Sequence, residues 1–135
     1  MLQVVTLEQA KQWLEIVKRF ENWDIYYLPE YVKAFQIHGD GDPLLLYYQS
    51  SSTQVINVVM KRDIADDPRF QGKIPSKTYY DLVTPYGYGG GVVEGEKDAA
   101  ALKEYRAAYE AYCARQGIVS EFVRFHPLLR NAWDM

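Results

Sequence analysis

Tyr79-Tyr80-Asp81-Leu82-Val83-Thr84-Pro85-Tyr86-Gly87-Tyr88-Gly89-Gly90-Gly91 is the stretch on which the reading of this chain turns. A β-type run ends at Thr84-Pro85 and gives way to alternating tyrosine and glycine. Tyrosine brings a flat face and a hydroxyl. Glycine brings backbone that takes positive φ at no steric cost and can lie against a ligand. Ordering such backbone costs much conformational entropy, which favours a loop that something uses. Composition alone balances a binding loop against a glycine-rich hairpin connection with two packed tyrosines.

Working outward, the runs at 44–49 and 54–62 flank Ser50-Ser51-Ser52-Thr53 and predict an antiparallel hairpin. A polar loop at 63–77 follows, with Asp66 and Asp67 read as solvated acids, and then a strand at 78–84. Downstream, Leu102, Tyr105, Tyr109 and Tyr112 share a stripe of a helix at 97–116, which Gly117 ends. A last strand is predicted at 118–125. Upstream, Thr6 and Gln9 form a capping-box pattern ahead of Ala10, Trp13, Leu14, Val17 and Phe20, predicting a helix at 7–20 after a short strand at 2–5. Pro29 opens a shorter helix that Gly39 stops. Gly39-Asp40-Gly41-Asp42-Pro43 is a turn without the spacing or closing glutamate of a calcium loop.

The order β-α-α-β-β-β-α-β predicts an α/β (α+β) fold on one mixed sheet, antiparallel first, with a right-handed parallel crossover at the end. The 135 residues make one domain, 1–135. A 48% hydrophobic and 24% charged composition fits a soluble globular protein. Scattered charges and a net charge of −3 argue against DNA or a general phosphate-backbone partner. The single cysteine, Cys113, allows no internal disulfide and no metal cluster, and its helix position predicts an inert thiol. No run has the length of a membrane span, and the first helix reads as charged rather than as a signal peptide, so the expected location is cytoplasmic.

In open α/β sheets ligands bind beyond the C-terminal strand ends, where the Tyr/Gly loop is expected between the strand at 78–84 and the helix at 97–116. Its amides, ahead of a helix, could cradle an anion. The loop lacks both the Gly-Lys-Ser/Thr ending of a phosphate loop and the G-x-G-x-x-G spacing of a dinucleotide site. Glu94 and Glu96 beside it would oppose a phosphate, which moves the expected ligand towards a peptide or sugar-peptide held by Tyr86 and Tyr88. Arg124 and His126 bracket Phe125 near the same edge. A guanidinium there could grip a carboxylate or phosphate; the plainer alternatives are an Arg124–Glu121 pair and a turn capped by His126. His38, at a helix end, reads as a surface residue favoured by the helix dipole. No nucleophile–base pair is visible, so no catalytic residue is assigned.

Three segments carry a family resemblance: Asp24-Ile25-Tyr26-Tyr27 with Pro29-Glu30-Tyr31, Thr84-Pro85-Tyr86-Gly87-Tyr88-Gly89-Gly90, and Glu121 through Leu129 with Asn131. Together with the element order they resemble the N-terminal lobe of FemAB-like proteins, tandem GNAT-fold aminoacyl and acyltransferases. The resemblance covers nearly the whole chain. It implies transfer of an acyl or aminoacyl group to an amine, such as a cell-wall peptide or amino-sugar acceptor. Acyl-CoA or aminoacyl-tRNA would be the donor, with no covalently held cofactor. It implies that Thr84, Tyr86, Gly87, Tyr88, Gly89, Gly90, Arg124 and His126 line a substrate cleft. Gly91 stands where the pattern would have proline. The chain stops at Met135, just past the fifth strand of a GNAT unit, so the unit is expected to be incomplete at its C-terminus and the second lobe to be missing. A non-catalytic binding module of the same fold is the alternative. An early stop would leave the strand at 118–125 as an apolar edge, covered by a second copy or by residues 127–135 with Trp133.

Overall fold

The computed structural model describes residues 1–135. In chain order the elements are β1 (Leu2–Thr6), α1 (Ala10–Val17), α2 (Pro29–His38), β2 (Asp42–Gln49), β3 (Thr53–Asp63), β4 (Tyr80–Val83), β5 (Val92–Gly95), α3 (Ala99–Arg115) and β6 (Ile118–Phe122). They form an α/β protein on a six-stranded mixed sheet ordered β1-β2-β3-β4-β6, with β5 also on β3. All pairings are antiparallel except β4 with β6, which is the expected parallel crossover through α3.

Side chains of a strand alternate between faces, so one strand can serve two cores. On β3, Ile56, Val58 and Met60 join Leu45 and Tyr47 of β2 against Trp13, Val17 and Val32 from α1 and α2. The alternate positions, Val55 and Val59, meet Leu44, Leu46 and Tyr48 under Tyr105, Tyr109 and Tyr112 of α3. β2 is buried from Pro43 to Tyr48, which explains its unbroken apolar run. No helix is long and apolar enough to cross a membrane.

Three local expectations are corrected. The helix at 7–20 is shorter: Leu7–Gln9 form a 3-10 turn, and Thr6 makes no cap hydrogen bond because it is the last residue of β1, paired with Leu44. The strand at 78–84 shortens to β4. Most consequentially, the Tyr/Gly loop does not run into a helix. It leads into β5, an element the sequence pattern had merged with the loop.

β6 ends the sheet with its outer edge unpaired, and Val119 and Phe122 are 60% and 61% exposed. Residues 127–135 do not cover it. They fold back over the other side of the Tyr/Gly loop, where Met135 packs against Gly91 and Lys97 pairs with Asp134 at 2.8 Å. Trp133, expected as a cover, is 88% exposed.

Candidate functional site

β4 and β5 lie on the same side of β3 and act as one interrupted strand. The ladder pairs Met60 with Val83 and Ile56 with Val92, so residues 57–59 of β3 face the whole detour 84–91. The parallel ladder of β4 and β6 carries on past the interruption. The Thr84 amide donates to Phe122 O at 3.0 Å, the Gly89 amide to Arg124 O at 2.8 Å, and Gly89 bridges Phe125. Between these pinned points, residues 85–88 bulge outward.

The bulge is folded around a guanidinium. Arg124 Nε donates to Gly87 O at 3.0 Å, and its Nη2 donates to Thr84 O at 3.0 Å and Pro85 O at 3.1 Å. Its own amide donates to Thr84 Oγ1 at 2.9 Å. Three further carbonyls are taken from α2, the segment before it and the tail. Tyr31 Oη donates to Tyr86 O at 2.6 Å, Tyr27 Oη to Gly90 O at 2.9 Å, and Asn131 Nδ2 to Gly89 O at 2.8 Å. Tyr27 is itself fixed from the core, since Trp13 Nε1 donates to its carbonyl at 2.8 Å. Burial raises the Tyr27 hydroxyl well above the ordinary tyrosine range, with the Asp24 charge adding to the effect, so it stays a donor at neutral pH. Burial also raises Tyr31, against a lowering pull from Arg124.

Behind the loop, His126 is 4% exposed. Its Nδ1 accepts the amides of Leu128 at 3.2 Å and Leu129 at 3.3 Å, which assigns the proton to Nε2, 2.9 Å from Asp24 Oδ2. Asp24 Oδ1 takes the Ile25 amide at 2.6 Å. With both nitrogens engaged and the ring buried, His126 ties the tail to the segment ahead of α2. An aromatic cluster stands over this pair: Tyr26 lies 5.9 Å from His126, 6.1 Å from Tyr88 and 5.2 Å from Tyr31, and Phe35 lies 5.9 Å from Tyr86. Gly87, at φ +98°, sits on the Tyr26 ring with no room for a Cβ. Gly90, at φ +85°, is wedged against Phe125 in the same way.

The eight residues singled out in the sequence thus come together but divide in role. Tyr86 and Tyr88 are 72% and 43% exposed and form the outer surface with half-buried Gly87. Thr84, Gly89, Gly90, Arg124 and His126 stand behind it and hold its shape. The alternative of an Arg124–Glu121 pair does not form: Glu121 accepts the Tyr109 hydroxyl at 2.7 Å on the α3 side. The helix-end anion cradle fails as well, since β5 separates the loop from α3 and Asp98 caps the helix. Glu94 is held away at the segment after α1, where it accepts the amides of Glu21 and Asn22 at 2.8 Å each. Asp24, Tyr26, Tyr27, Tyr31 and Asn131 complete the site and were not read as site residues. Their signal was the tyrosine density before α2.

A separate groove lies at the start of β4. It encloses about 820 Å3 and is lined mainly by charged residues, among them the Arg62–Asp81 and Arg69–Asp67 pairs. Its acids and bases largely neutralise one another, and few apolar groups line it, unlike most ligand sites.

Compared with known proteins, the chain matches no protein-family model, no curated protein and no solved structure.

Proposed function

We propose that the chain is a substrate-binding lobe of a FemAB- or GNAT-type N-acyl- or aminoacyltransferase, working in the cytoplasm on a peptide or sugar-peptide acceptor. One observation carries this reading: Tyr86 and Tyr88 are held exposed on a loop in which the carbonyls of Thr84, Pro85, Tyr86, Gly87, Gly89 and Gly90 are engaged from within. A surface fixed by that many internal bonds binds without first having to be ordered. Two rigid aromatic faces separated by glycine suit the apolar side of a sugar ring or an extended peptide. The contribution to transfer would be positioning of the acceptor, with acyl-CoA or aminoacyl-tRNA as donor.

The second reading, a binding module without transferase activity, is favoured by the engagement of both His126 nitrogens, which leaves the loop no free base. Calorimetric titration with a UDP-linked muramyl peptide and with acetyl-CoA, beside a transferase assay, separates the two. Binding of the peptide is expected, with each of Tyr86→Ala and Tyr88→Ala weakening it about tenfold and leaving circular dichroism unchanged. Turnover would eliminate the module reading, and absence of binding to either ligand would eliminate both.

A further inference from the structure

We infer that the outer face of the Tyr/Gly loop is an oxyanion subsite, shaped for the terminal carboxylate or a phosphoryl group of the bound ligand. The inference rests on the reading of this loop as the ligand site and names the group that the loop itself would read.

Two independent observations meet here. The first is the direction of the backbone. The carbonyls from Thr84 to Gly87 all accept bonds from inside the protein, from Arg124 or Tyr31. The amides of Tyr86, Gly87 and Tyr88 donate to no group of the protein. Gly87, at φ +98°, turns the chain into the left-handed region between its two tyrosines. Successive amides around such a residue form a nest, a concavity of N–H donors that takes an anionic oxygen.

The second observation is charge. Arg124 lies beneath the loop, half-buried, and belongs to none of the molecule's ion pairs. Its hydrogen-bonding partners are neutral oxygens, namely three carbonyls. A guanidinium partly withdrawn from water with no counter-charge leaves a local positive potential. Asp24 and Glu94 form no ion pair with it: Asp24 accepts from His126 and the Ile25 amide, and Glu94 from the Glu21 and Asn22 amides. The loop therefore combines three unpartnered amides with a guanidinium that no carboxylate pairs, and the exposed Tyr86 and Tyr88 are there to hold the apolar part of a ligand.

Amide correlation spectra of the full chain test this directly, with acetate, inorganic phosphate and an alanine-terminated tripeptide as probes, the tripeptide supplied both as free acid and as C-terminal amide. The free acid should shift the amide resonances of Tyr86, Gly87 and Tyr88 and bind roughly tenfold more tightly than its amide. A response to acetate and the free acid identifies a carboxylate. A response confined to inorganic phosphate identifies a phosphoryl group; either upholds the subsite. If the free acid and the amide bind alike at the tyrosine rings, the oxyanion subsite is wrong while ligand binding stands. If no probe moves the loop, both readings fall.

Discussion

Replacing Arg124 by methionine keeps its apolar stem and removes the donors to three loop carbonyls at once. Thr84 and Pro85 are buried and Gly87 is half-buried, so the expected loss is about 3 kcal/mol or more. Arg124→Lys should restore little, because one ammonium cannot span acceptors from Thr84 to Gly87 as a planar fork does. Urea unfolding midpoints of the three proteins check this. Midpoints that coincide would mean that the loop does not depend on the guanidinium. The same residue shows where the sequence runs out. The alternation around Phe125 brought Arg124 to the loop. Whether its fork would meet a ligand or the chain's own carbonyls depended on the path of residues 84–88, which no local pattern specifies.

At the scale of elements, the hairpin of β2 and β3, the helix α3 with its stop at Gly117, and the parallel return of β6 were all legible, because each has a long period or a marked terminus. β5 was not. It has four residues after Gly91, Val92-Val93-Glu94-Gly95, and only its register against Thr53–Ile56 makes it a strand. The detour 84–91 was therefore read as a strand-to-helix loop when it is an interruption within one strand. The outer edge of β6 has an element-level consequence of its own. With Val119 and Phe122 exposed and the backbone unpaired, it can accept a strand from a second copy. Sedimentation velocity should show self-association that grows with concentration, weakened by Val119→Lys, which places a charge on the edge. A monomer at every concentration would contradict this.

At the scale of the whole molecule, the abundance of tyrosine sets an alkaline limit. Tyr27, Tyr105 and Tyr109 are each raised above the ordinary value near 10, burial being the largest cause in all three. Tyr105 keeps its hydroxyl buried without a partner. The folded chain holds these protons more tightly than the unfolded chain does. Their contribution to stability is complete below about pH 10 and is lost as the pH rises beyond it. Phenolate absorbance should accordingly rise in two stages, the second coinciding with loss of the far-ultraviolet dichroism. One smooth titration of all twelve tyrosines near pH 10 with the fold intact would contradict it.

The clasp between Asp24 and His126 joins residues 102 positions apart, and Tyr27 reaches Gly90 across 63. The β2–β3 hairpin, by contrast, closes over the four residues 50–53. Contacts between distant segments must wait for the chain between them to be gathered in. Pulse-labelled hydrogen exchange during refolding should find the amides of Gly89 and His126 protected after those of β2 and β3. The Tyr/Gly loop's fixed shape would then be the last thing this molecule acquires as it folds and the first it surrenders as it loosens, so that a partly folded chain would carry most of its sheet and none of the surface proposed to bind.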